Sequence, residues 1–188
     1  MPEGIRVSDL VARGRYPYRP LLGGMGPRDY DVVAEAIELM GLTPFMDRPV
    51  DELSGGQRQR AWIAMALAQQ TDVLLLDEPT TYLDVAYQVE ILDLMRELNR
   101  RRGITVVMVL HDLNLSARYA DYLFALKKGR LVQEGTPRDV VTVDTIREVF
   151  ELDCAVIDDP VSGTPLVVPK GRYRSNGGAE VRPRCSSR

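Results

Sequence analysis

The sequence predicts an α/β fold with a parallel sheet and an associated helical subdomain. Three observations carry this. The runs Val73 to Leu76 and Thr105 to Leu110 read as continuous apolar strands, the pattern of parallel strands covered on both faces. Helical segments lie before, between and after them, at Arg58 to Ala68, Val85 to Asn99 and Leu113 to Tyr119. Upstream, residues 1–52 alternate turn formers with one helical segment and read as a helical subdomain.

In that first zone Val32, Val33, Ala36, Ile37 and Met40 recur at helical spacing. Pro27 suits the first helical turn, where a missing backbone donor costs nothing, and Gly41 suits a left-handed C-cap. Residues 53–168 form the expected α/β core. Within it, Tyr122 to Gln133 reads as a hairpin turning at Lys128 and Gly129, followed by short helices at Pro137 to Val141 and Val143 to Phe150. Residues 169–188 are Gly, Arg, Ser, Asn and Pro with scarcely any large apolar side chain, the composition of a mobile tail.

Composition narrows the function classes. The chain has 188 residues, enough for one domain, and its hydrophobic share of 45% is ordinary for a soluble globular chain. Its 24 basic and 27 acidic residues leave a formal net charge of −3, a balance that does not suggest a nucleic-acid binder. No run reaches the roughly 18 apolar residues of a membrane span, so any membrane role is expected to be peripheral. Cys154 and Cys185 lie far apart and outside any C-x-x-C spacing, and read as reduced bystanders in a cytoplasmic protein.

Two motifs carry chemistry. In Ser54, Gly55, Gly56 and Gln57, two glycines open the backbone to close approach just before a helix, whose free amides and positive dipole end suit a phosphate. A serine capping a flexible turn is the bland alternative. The apolar strand ending in Asp77 and Glu78 delivers two adjacent carboxylates to the carboxyl end of a sheet, where ligands of open α/β folds sit. A hard cation such as Mg²⁺ takes oxygen ligands, so Asp77 is expected to hold it directly or through water. Glu78 is then placed to orient or deprotonate an attacking water. Pro79 biases Glu78 away from the helical region and is expected to leave its carboxylate extended. His111, the only histidine, follows the second apolar strand. Asp84 either caps the helix after it or reaches a neighbouring subunit.

The order Leu53 to Gln57, Asp77 with Glu78, Asp84 and His111 resembles the signature, Walker B, D-loop and H-loop of ABC transporter nucleotide-binding subunits. Finer features are similar to the ATPases of ferric-siderophore, haem and cobalamin importers, the siderophore class above all: Pro2-Glu3-Gly4, Arg13-Gly14-Arg15-Tyr16-Pro17, Thr80-Thr81-Tyr82-Leu83-Asp84, His111-Asp112-Leu113-Asn114 and Arg118-Tyr119-Ala120-Asp121. The resemblance implies a P-loop NTPase-like ABC ATPase cassette acting on ATP with Mg²⁺. Glu78 and His111 would be catalytic, Ser54, Gly55, Gly56, Gln57 and Asp84 would meet nucleotide, and Asp77 the metal. It further implies a head-to-tail dimer with a second ATPase subunit at the cytoplasmic face of the membrane. Transmembrane permeases would dock there, serving a substrate-binding protein indirectly.

One departure stands out. The phosphate loop of that family reads G-x-x-x-x-G-K-[ST], and here lysine occurs only at Lys127, Lys128 and Lys170, none in that context. The cassette therefore reads as incomplete, without Walker A or a glutamine loop, a fragment or a chain with a misplaced start. Alone, it is expected to bind ATP weakly. Two other readings remain open: a soluble non-transport ABC ATPase, and a non-enzymatic partner lending only its signature in trans.

Overall fold

The computed structural model describes residues 4–19, 23–81 and 83–171. Pro2, Glu3, Tyr82, Cys185 and the expected tail from residue 172 onward lie outside them. The chain divides into two compact units, Met1–Tyr119 and Ala120–Arg188.

In the first unit, the zone before Leu53 shares its core with the helix that follows. Helix α1 (Val7–Ala12) runs into a 3-10 segment, Arg13–Tyr18, and both are absent from the sequence expectation of a single helix there. Helix α2 (Pro27–Leu39) begins at Pro27, and Asp29 Oδ2 accepts from the Gly26 amide at 3.0 Å. It ends as expected. Gly41 takes φ +63°, its amide donates to Glu38 O and the Leu42 amide to Ile37 O, the two bonds of a Schellman cap. Val7, Leu10 and Val11 of α1 pack with Val33 and Ile37 of α2 and with Ile63 and Ala64 of α3 (Gly55–Leu67).

The 3-10 segment is pinned to α3 at two places. A Cβ at Gly14 would lie 2.1 Å from Met65 O, so only glycine permits this approach. Beside it Arg15, 4% exposed, donates from Nε to Asp29 Oδ1 at 2.8 Å and from Nη1 to Ala68 O at 2.9 Å. Its guanidinium lies over the Tyr18 ring, 4.0 Å from the centroid.

Strand β1 (Val73–Asp77) pairs in parallel with β2 (Thr105–Val109), from Val73 opposite Thr105 to Asp77 opposite Val109. The crossover is α4 (Val85–Arg102), three residues longer than expected. Arg100, Arg101 and Arg102 favour the negative end of the helix dipole, and the helix stops at Gly103, φ +67°. Helix α5 (Leu113–Tyr119) follows β2, its first amides held by Asp112 Oδ1. The expectation that both sheet faces are covered does not hold for these two strands. Leu74, Leu76, Val106 and Met108 face the core, whereas Val73, Leu75, Val107 and Val109 are exposed, Leu75 by 73%.

In the second unit, β3 (Leu123–Lys127) and β4 (Arg130–Gly135) form the expected hairpin. Lys128 and Gly129 both take positive φ, +50° and +76°, as a two-residue turn with the right strand twist requires. Helices α6 (Pro137–Val140) and α7 (Val143–Phe150) follow as expected. A second hairpin, β5 (Cys154–Asp158) with β6 (Pro165–Pro169), was not anticipated, and it buries the free thiol of Cys154. Among the described residues, no helix is long and apolar enough to cross a membrane.

Candidate active site

Parallel pairing brings the two chemical strand ends to one edge of the sheet. The ladder closes with Asp77 opposite Val109, and the Glu78 amide extends it by donating to Val109 O at 3.2 Å. Two residues past Val109, His111 therefore stands beside Glu78. The gap from His111 Nε2 to Glu78 Oε1 is 2.6 Å, and Thr81 Oγ1 donates to Glu78 Oε2 at 2.9 Å. Both carboxylate oxygens are thus engaged. The His111 hydrogen bond, and after it that of Thr81, hold the Glu78 carboxyl below its ordinary range. An ionised carboxylate is what a proton acceptor needs.

The backbone of Glu78 corrects one sequence expectation. Its φ is +49°, in the left-handed region that residues with a Cβ rarely occupy. Pro79 disfavours the right-handed helical conformation at Glu78, as argued, but the chain then turns the other way rather than extending. The Thr81 amide closes that turn on Glu78 O at 3.2 Å, and the carboxylate folds onto His111 and Thr81. Residues in sparsely populated conformations persist where surrounding contacts over-determine them. Thr81 was singled out in the sequence only as part of a longer run. A hydroxyl three residues after an acid in a turn was the available signal.

Asp77 ends β1 and is exposed. Among the described residues no group of three or more His, Cys, Asp or Glu gathers to hold a metal. That donor set does not make a protein cage, but it fits Mg²⁺, which commonly takes one or two carboxylates and completes its shell with water and phosphate oxygens.

The second cluster forms around the start of α3. Ser54 is its N-cap: Oγ accepts from the Gln57 amide at 3.3 Å, and Gln57 Oε1 accepts from the Ser54 amide at 3.1 Å. Gly56 is buried against the ring of Tyr87, and a Cβ at Gly55 would lie 3.6 Å from Leu83 Cδ2. Asp84 caps α4, accepting from the Tyr87 amide at 3.4 Å. The structure therefore gathers Ser54, Gly55, Gly56 and Gln57 with the Asp84 segment, and Glu78 with His111. Tyr87, which touches both parts of the first group, carried no signal in the sequence.

The chain is similar to known proteins over most of its length. The ABC transporter family model matches residues 8–81, and an AAA-domain model matches residues 47–117. The ferric enterobactin transport ATP-binding protein FepC of Escherichia coli (strain K12) is 53% identical over 171 residues, 91% of this chain and 63% of that protein. The achromobactin transport ATP-binding protein CbrD of Dickeya dadantii (strain 3937) is 50% identical over 96% of this chain and 67% of its own length. A solved inward-facing ABC transporter, described as of metal-chelate type, superposes with a TM-score of 0.84 at 31% identity, covering 91% of this chain and 69% of that one. The chain spans a little under two thirds of the first of these relatives. Its sequence and its fold agree, and the chain belongs to the family of ABC transporter ATP-binding subunits.

Proposed function

We propose that this chain supplies the signature, Walker B, D-loop and H-loop portion of the ATP-hydrolysing subunit of a ferric-siderophore importer. The observation that carries the reading is the Glu78–His111 pair at the carboxyl edge of the parallel strands. In hydrolysis, a water attacks the γ-phosphorus, the bond to the ADP oxygen breaks, and the water's proton passes to Glu78 Oε. His111 fixes the orientation of that carboxylate. Asp77 would hold Mg²⁺, which neutralises charge on the phosphate oxygens when bound. The first amides of α3, with Ser54, Gly55, Gly56 and Gln57 and the nearby Asp84, would meet the nucleotide bound by a second subunit in a head-to-tail dimer.

The siderophore reading rests on the names of the relatives, which transport ferric enterobactin and achromobactin. Docking on permeases at the cytoplasmic face is supported by a groove of about 540 Å³ on the first unit, lined by Ile5, Ala12, Arg13, Tyr16, Met25 and Tyr30 among others. Tyr16 and Tyr30 are both more than half exposed there. The groove's lining mixes these apolar and aromatic side chains with Ser8, Asp9, Arg13 and Arg19, a surface for a segment that carries both apolar and polar groups.

The test is turnover by the assembled transporter carrying Glu78→Gln. The expected loss is roughly 10²- to 10⁴-fold, the usual contribution of a positioned proton acceptor, with ATP still bound. Undiminished hydrolysis removes Glu78 from this role. Loss of ferric-siderophore uptake on deleting the gene supports the cargo, and co-purification with soluble proteins alone points to the non-transport reading.

A further inference from the structure

The second signature glycine lies in α3, whose right-handed backbone any L-residue adopts. Gly56 is the second residue of α3 and has no positive φ, so no backbone need explains glycine here and the space around it bears on the choice. A Cβ at Gly56 would lie 3.2 Å from Tyr87 Cδ1 and 3.4 Å from Tyr87 Cγ, closer than side chains ordinarily tolerate. The same tyrosine donates its amide to the capping carboxylate of Asp84. Its ring therefore bears on the signature while its backbone belongs to the D-loop cap. Farther along, the ion pair of Arg60 on α3 with Glu90 on α4 ties the same two helices, and Gln88 Nε2 donates to Leu83 O at 2.9 Å.

From this we infer that Tyr87 is a positioning residue that sets the spacing between the signature helix and the D-loop, and that Gly56 is glycine in order to seat its ring. The inference rests on the ATPase reading above for its effect on turnover, but its packing content stands on these contacts alone. A signature displaced by the few tenths of an ångström that a Cβ at Gly56 demands would meet phosphate out of line, and misplacement on the scale of an ångström costs up to about 10²-fold in rate.

The experiment is a double-mutant cycle in the full subunit assembled with its permeases: Gly56→Ala, Tyr87→Ala, both together, and Tyr87→Phe. Tyr87→Ala is expected to lower kcat roughly tenfold with a smaller change in KM for ATP, as a misaligned transition state should. Tyr87→Phe, which keeps the ring, should restore most of that loss. Gly56→Ala should lose at least as much, and the pair should recover part of it because the added methyl then has room. If the double variant is as impaired as the two losses combined, or Tyr87→Phe fails to rescue, the inference is overturned. If the wild-type subunit shows no hydrolysis, the ATPase reading fails instead, and the same cycle read as unfolding midpoints decides. Rescue of Gly56→Ala by Tyr87→Ala supports the packing role, and additive losses overturn it.

Discussion

Ser54 has a local task that needs no phosphate. Its hydroxyl accepts from the Gln57 amide while Gln57 returns a bond to the Ser54 backbone, so two otherwise orphaned donors of α3 are satisfied. Removing such a cap costs about 1 kcal/mol. Ser54→Ala should therefore lower the stability of the unit containing α3 by about 1 kcal/mol, read as a shift of the urea midpoint at constant slope. Ser54→Asp keeps an acceptor at the cap and should stay within about 0.5 kcal/mol of wild type. Yet it places a negative charge where the proposed phosphate approaches, so turnover by the assembled subunit should collapse while stability holds. Equal turnover in both proteins would leave Ser54 as a cap only. Glu78 combines local and distant contacts. Its left-handed backbone makes the turn that the Thr81 amide closes, and its two carboxylate oxygens are held by partners 3 and 33 residues away.

Elements were legible where their signals are local. The periodicity of α2 and its Pro27 and Gly41 boundaries could be read directly, as could the turn at Lys128 and Gly129. The Glu78–His111 contact was not legible, because it depends on the parallel register that sets the two strand ends side by side. Helix α1 was missed because six residues are too few to display a helical period, and its stability comes from burying Val7, Leu10 and Val11 against α2 and α3. The hairpin β5–β6 did have a signal, two short apolar runs around Asp159 to Thr164, that was read as part of a larger core. The burial of Arg15 could not be read at all, since its carbonyl partner Ala68 lies 53 residues on. Two predictions belong at this scale. Gly14→Ala puts a methyl into Met65 O and should cost about 1–3 kcal/mol, the usual range for overpacking, by chemical denaturation. The Asp29 carboxyl is held below its ordinary value of 3.8, first by the Arg15 hydrogen bond and then by the Gly26 amide. A lowered folded value means that the contribution is complete above the unfolded value and is lost as pH falls through the folded one. Stability should thus decline from about pH 4 downward, and Asp29→Asn should flatten that part of the profile. An unchanged acid limb in Asp29→Asn would assign it to other carboxylates.

Each unit holds a core of its own, but in the first the sheet is apolar on both sides and covered on one. Parallel strands are ordinarily buried on both faces, and a two-stranded sheet is marginal by itself. Here Val73, Leu75, Val107 and Val109 form a contiguous exposed strip, with Leu75 directly opposite Val107 in the register. Contiguous exposed apolar surface of this kind marks a contact surface or an aggregation liability. The 188-residue chain alone should accordingly bind an apolar fluorescent dye and sediment as species larger than a monomer at micromolar concentration. Leu75→Lys puts a charge at the middle of the strip without touching the core face, where Leu74 and Leu76 remain. It should reduce both dye binding and self-association while leaving the far-ultraviolet circular dichroism unchanged. A monomeric wild-type chain that binds no dye would mean that the strip is covered in solution. A Leu75→Lys chain that still associates would move the liability elsewhere, to the exposed Phe124, Leu126 and Leu131 of the β3–β4 hairpin, the next apolar strip that these strands leave open.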